Sequence, residues 1–198
     1  MSGNKTTRGY FGVGTEGTSK AMNVGSIVRS AHAFGASFAF TVAGIYERRG
    51  QAKADTSDAP AHLPFYAFPD INSMVLPEGC RIVGVELTDE AVDLPSFHHP
   101  QQVVYILGPE RGSLSAEMVE KCDFVIKIPT AFCVNVGIAA AIVMYDRVQS
   151  LGKFARRPAR PGGPVEELDQ HVHGGPIIRN KMKKFKEIPP TRLASDPD

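Results

Sequence analysis

Apolar positions along the chain cluster into short runs separated by longer mixed stretches. Residues 37–43 (SFAFTVA), 81–87 (RIVGVEL), 103–107 (VVYIL) and 124–128 (FVIKI) each read as a strand, and 10–13 as a shorter one. The runs are continuous rather than alternating, the pattern of parallel strands covered on both faces. Between them, 24–34, 115–121 and 135–150 carry helical spacing. In the first of these, Ile27, Val28, Ala31 and Phe34 form an apolar stripe, and Asn23 reads as the N-cap. Ser115 and Asn135 read as N-caps of the other two. The third contains the longest apolar run, 136–145. It is too short for a membrane span, which takes roughly 20 residues, so it reads as a buried element. Its Gly137, Ala139, Ala140 and Ala141 predict close approach to a neighbouring backbone. Alternation of strand and helix predicts an open, mostly parallel α/β sheet with ligand sites at the carboxyl ends of its strands. Residues 51–77 show no pattern that assigns an element.

Composition refines this picture in one respect. The chain has 198 residues and a formal net charge of +1, which excludes a bulk nucleic-acid packager. The balance is a cancellation. Residues 1–150 carry 12 basic and 15 acidic side chains, a net of −3, whereas 151–198 carry 10 and 6, a net of +4. Beyond Ser150 the sequence turns rich in Pro, Gly and Arg, and five of the eight residues in 179–186 are cationic. The expectation is a compact domain over 1–150 followed by a basic extension over 151–198. Three widely spaced cysteines (Cys80, Cys122, Cys133) form no CxxC pair and point to a reducing compartment. The polar N-terminus lacks a signal-peptide core, so a cytoplasmic protein is expected.

Several patterns carry little chemistry. Gly12, Gly14 and Gly17 match GxGxxG, but helical spacing begins only after Asn23 and no acidic residue follows at the distance a dinucleotide site needs. They read as a flexible glycine-rich loop. His98-His99 and His171-x-His173 have no metal-ligand companions and read as solvated loop histidines, so no metal is expected.

Three segments stand out. The first is Asn23-x-Gly25-x-Ile27-x-Arg29. The second, directly after a strand, is Leu107-Gly108-Pro109-Glu110-Arg111-Gly112, a tight loop whose backbone groups can hold a small ligand. The third, Ile128-Pro129 followed by Cys133-Val134-Asn135, ends a strand and leads into the helix of small residues. In this order they resemble the motifs of the SpoU/TrmH-type RNA 2′-O-ribose methyltransferases of the SPOUT superfamily, over about residues 10–148. The family's Ser-Leu-Asn reads Cys133-Val134-Asn135 here, and a thiol is a weak stand-in for a hydroxyl.

The resemblance implies an α/β fold with a C-terminal deep trefoil knot, S-adenosyl-L-methionine as cofactor, and a homodimer acting on RNA, tRNA more than rRNA. Leu87, Leu107, Gly108, Gly112, Ile128, Cys133, Val134 and Val136 would line the cofactor pocket. Arg29 would stabilise the reacting ribose oxygen, because a guanidinium keeps its proton and is an awkward general base. Asn23 and Glu110 would position substrate and Arg29, and Asn135 would order the knot loop or the target ribose. The alternatives are a SPOUT enzyme acting on a base and a non-catalytic knotted RNA-binding protein.

Overall fold

A computed structural model of the protein describes residues 9–44, 63–152, 154, 158 and 161–163. The chain divides into the units Met1–Phe154 and Ala155–Asp198. All elements below belong to the first. His171, His173 and the cationic run 179–186 lie outside the described residues.

The elements follow in the order β1 (Tyr10–Glu16), α1 (Ala21–Phe34), β2 (Phe38–Val42), β3 (Phe65–Phe68), β4 (Arg81–Val85), β5 (Val92–Asp93), a 3-10 turn (Leu94–Ser96), β6 (Gln102–Leu107), α2 (Ala116–Lys121), β7 (Phe124–Lys127) and α3 (Val136–Leu151). One seven-stranded sheet has the order β3-β2-β1-β6-β4-β7-β5, and each neighbouring pair is parallel. The chain starts at β1 near the middle, steps outward to β2 and β3, then crosses to the other half. That reversal places the carboxyl ends of β6, β4 and β7 beside the amino end of α1, where open α/β sheets bind ligands.

Each face of the sheet has its own apolar layer. On one, Phe11, Val13, Val103 and Tyr105 pack under Val24, Ile27, Val28 and Ala31 of α1 and Val136, Ala140, Val143 and Met144 of α3. On the other, Phe40, Val42, Val104 and Ile106 meet Ile71, Leu114 and Met118. The continuous apolar strands read from the sequence are therefore covered on both sides. The small residues of α3 let it lie close to α1: a Cβ at Gly137 would stand 3.3 Å from Ser26 Cβ.

Four expectations need correction. The glycines at 12 and 14 are not a flexible loop but part of β1, which runs on to Glu16. They are small because aromatic rings of β2 cross over them; a Cβ at Gly12 would come within 2.6 Å of the Phe38 ring. Asn23 does not cap α1, which begins earlier at Ala21 with Lys20 as N-cap and no side-chain cap. The carboxylate of Glu110 stands at that helix terminus instead, accepting from the backbone N–H of Ser19 and Lys20 at 3.3 and 3.2 Å, a placement the helix dipole favours. Residues 51–77 do contain a strand, β3, whose FYAF sequence is short and lies at the sheet edge.

His99 is the fourth: it is 1% exposed rather than solvated. Burial pushes the Tyr105 hydroxyl up to about 12, so it stays protonated and donates to His99 Nδ1 at 2.6 Å. Nε2 then carries the other proton and donates to Asp146 Oδ2 at 2.9 Å. Arg147, also buried, donates to the carbonyls of Pro100 and Gln101 and lies over the Phe11 ring. This polar cluster pins the C-terminal half of α3 to the segment that leads into β6.

Candidate active site

A cavity of about 480 Å³ opens at the carboxyl ends of β4, β6 and β7. Its walls hold all eight residues expected around a cofactor: Leu87, Leu107, Gly108, Gly112, Ile128, Cys133, Val134 and Val136. Asn23, Glu110 and Asn135 line it as well. Arg29 does not. It sits on the exposed side of α1, six residues beyond Asn23 and nearly two turns away.

The three sequence segments meet in one hydrogen-bonded chain. Asn23 Nδ2 donates to Glu110 Oε1 at 2.8 Å. Asn23 Oδ1 accepts from Asn135 Nδ2 at 3.2 Å. Asn135 Oδ1 accepts from the Gly137 N–H at 2.9 Å and so caps α3. A nearly buried asparagine thus ties the amino ends of α1 and α3 to the loop after β6. Aspartate could not replace it, because the chain needs a donor on one side and an acceptor on the other, and a carboxylate only accepts. Desolvation acts to raise the Glu110 carboxyl, but the donors from Asn23 and from the Ser19 and Lys20 backbone outweigh it and hold the group below its ordinary value. These donors therefore favour the anionic form of Glu110.

Two more carboxylates hold the same loop, and sequence reasoning missed both. Glu16, 7% exposed at the end of β1, accepts from the Ser115 backbone N–H at 2.9 Å and from its hydroxyl at 2.6 Å. Ser115 in turn caps α2 by accepting from the Met118 N–H, as its sequence context predicts. Glu86, immediately after β4, accepts from the Leu114 N–H at 2.8 Å and lines the cavity. Both sit where an apolar run gives way to a carboxylate at a strand's carboxyl end, and that position was the available signal. The GxGxxG segment therefore carries a structural acid, Glu16, at the end of β1.

Much of the rest of the wall is apolar: Val85, Leu87, Leu107, Ile128, Val134, Val136 and Ala139. An apolar wall carrying a few polar side chains suits a small organic ligand. Among the described residues no group of three or more His, Cys, Asp and Glu could hold a metal ion.

Fold and site together define a parallel α/β protein with a pocket at its sheet crossover, formed by loops bound to one another through part-buried polar side chains. Residues 11–145 match the model of the SpoU rRNA Methylase family. The chain belongs to that family. It is 26% identical over 118 residues to the tRNA (guanosine(18)-2′-O)-methyltransferase of Escherichia coli K12, a match covering 57% of this chain and 51% of that protein. It is 31% identical over 80 residues to mouse tRNA (guanosine(18)-2′-O)-methyltransferase TARBP1, covering 38% of this chain and 5% of that one. The chain thus spans about half the length of the bacterial relative and a small part of the mammalian one. Among solved structures, the SpoU methyltransferase AviRb from Streptomyces viridochromogenes, in complex with the cofactor AdoMet, superposes with a TM-score of 0.62 at 23% identity. That match covers 75% of this chain and 62% of AviRb.

Proposed function

We propose that this protein is an S-adenosyl-L-methionine-dependent RNA 2′-O-ribose methyltransferase that works as a homodimer, on tRNA rather than rRNA, in the cytoplasm. The observation that carries the reading is the convergence of the family's three motifs, through Glu110, Asn23 and Asn135, on one cavity of nucleoside size. The family membership supports the reaction class, and the named activities of the bacterial and mouse relatives support tRNA and the ribose hydroxyl.

The cavity fits the cofactor. The Leu107–Gly108 backbone and the apolar side chains of Leu87, Ile128, Val134 and Val136 offer two faces for an adenine ring, and Cys133 stands at the rim. When bound there, S-adenosyl-L-methionine supplies an electrophilic methyl group on a sulfonium. The protein's part is to bind, orient and stabilise charge. Asn23 and Asn135 keep the loops at their spacing. Arg29 stabilises negative charge developing on the ribose oxygen.

Because Arg29 lies outside the cavity, that role asks for a second copy. The exposed face of α3 presents Ile138 and Tyr145, each 55% exposed, beside Ser26, Ser30 and Phe34 of α1 in a shallow apolar groove. Arg29 is the residue before Ser30 of that groove in α1. A homodimer formed there would bring each Arg29 toward the junction between the protomers, where the target ribose would be held. We read 128–150 as the threaded segment of the family's trefoil knot, and 1–150 as the methyltransferase domain. The basic extension over 151–198 would supply phosphate contacts that a domain of net charge −3 lacks.

Arg29→Ala tests the assignment. Methyl transfer to tRNA should fall below detection, while the cofactor's dissociation constant changes by less than about threefold. Loss of cofactor binding would place Arg29 in the wrong role.

A further inference from the structure

Glu86 belongs to none of the three motifs, yet it stands where two walls of the cavity meet. Its backbone N–H donates to the Ile126 carbonyl at 2.9 Å, which extends the pairing of β4 with β7 by one residue. Its side chain turns the other way. Oε2 accepts from the Leu114 N–H at 2.8 Å and Oε1 from the Leu87 N–H at 3.0 Å. One carboxylate therefore joins the segment after β4 to the end of the loop after β6, and both segments line the cavity.

The junction is tight. A Cβ at Gly108 would stand 3.0 Å from the Leu114 nitrogen and 3.5 Å from Glu86 Oε2. The latch thus leaves little room for a side chain at 108. The Leu114 side chain anchors the same point from below, since a Cβ at Gly84 would meet its Cδ1 at 3.1 Å. Between Gly108 and Leu114 lies the stretch that carries Glu110, so the distance from β4 to this loop also sets where the Glu110–Asn23–Asn135 chain closes.

We propose that Glu86 is a positioning residue for the cofactor pocket, fixing the width between the Leu87 wall and the 108–112 wall by holding the Leu114 N–H. The inference rests on the methyltransferase reading. Its effect runs through the loop, so it does not depend on the charge of the bound molecule.

The test compares the full-length wild-type chain with Glu86→Ala and Glu86→Gln. S-adenosylmethionine and the uncharged thioether S-adenosylhomocysteine are titrated by calorimetry, and amide hydrogen exchange is followed over 108–114. Losing hydrogen bonds to a charged acceptor should weaken both ligands by a similar factor, on the order of 10- to 100-fold, in Glu86→Ala. Glu86→Gln retains one acceptor oxygen and nearly the same volume, so it should fall between wild type and alanine, and it guards against a variant that merely misfolds. Exchange over 108–114 should quicken in Glu86→Ala while the core of α3 stays protected. Affinities within threefold of wild type, or unchanged exchange over 108–114, would overturn the proposal. A loss confined to S-adenosylmethionine would also overturn it, making Glu86 a direct partner of the sulfonium charge. If wild type binds neither ligand, the methyltransferase reading fails, and the exchange rates alone decide whether the latch exists.

Discussion

Asn23→Ala removes the centre of the hydrogen-bonded chain, and its cost follows from the two bonds it deletes. One is a 2.8 Å bond to a carboxylate and the other a 3.2 Å bond from an amide. A hydrogen bond to a charged group contributes about 1.5–3 kcal/mol and a neutral one about 0.5–1.5 kcal/mol. Two effects reduce the sum. Glu110 and Asn135 both border solvent, so water can replace part of each bond, and alanine is favoured over asparagine inside a helix by up to about 0.7 kcal/mol. The expected net destabilisation is about 1.5–2.5 kcal/mol, read as a lowered urea midpoint at unchanged slope. Asn23→Asp should cost more, because it sets a second carboxylate oxygen where the amide donor faced Glu110. The coupling between Asn23→Ala and Glu110→Gln in a double-mutant cycle should be at least about 0.5 kcal/mol. A destabilisation below about 0.5 kcal/mol for Asn23→Ala, or additivity of the pair, would refute the claim that this chain joins the three loops.

Other consequences are open to measurement. Gly14→Ala would drive a methyl into the Phe40 ring and should destabilise by about 1–3 kcal/mol through overpacking; a neutral result would mean the β1–β2 spacing is wrong. Burial lowers the His99 pKa from its ordinary 6.5, against the opposing pull of Asp146. The unfolded chain therefore binds more protons just below pH 6.5, so stability is intact above that pH and declines as pH falls toward the folded value. Urea unfolding at pH 8 and 5.5 should show this decline in wild type and a flatter response in His99→Gln; equal declines would contradict it. Deleting 155–198 should weaken tRNA binding and reduce its salt dependence by roughly 0.7–0.9 in the log–log slope for each phosphate no longer neutralised. An unchanged slope would remove the basic extension from the interface.

The strands are legible in the sequence because burial on both faces leaves a short apolar run bounded by polar and turn residues, as in VVYIL of β6. The caps of α2 and α3 are legible because Ser115 and Asn135 act on their own following residues. Asn23 misleads for the opposite reason: its partners lie 87 and 112 residues away, and local rules recognise only a cap in an asparagine before an apolar stripe. His99 misleads likewise, since Tyr105 and Asp146 are brought to it by β6 and α3. Glycines 12 and 14 read as a flexible loop because the rings that cross them, Phe38 and Phe40, belong to the neighbouring strand. The edge strand β3 buries too little to leave a pattern. Eight pocket residues follow from the resemblance, whereas Glu16 and Glu86 depend on which loops the sheet crossover sets side by side.

The central claim, a cofactor-dependent ribose methyltransferase, is tested most directly by the product. Purified protein incubated with S-adenosylmethionine bearing a labelled methyl group and unmodified tRNA should yield, after nuclease digestion and mass spectrometry, a labelled nucleoside with the methyl on the ribose. The Arg29→Ala protein should yield none. A label carried on the base instead of the ribose, or no label from a protein that demonstrably binds the cofactor and tRNA, would contradict the account.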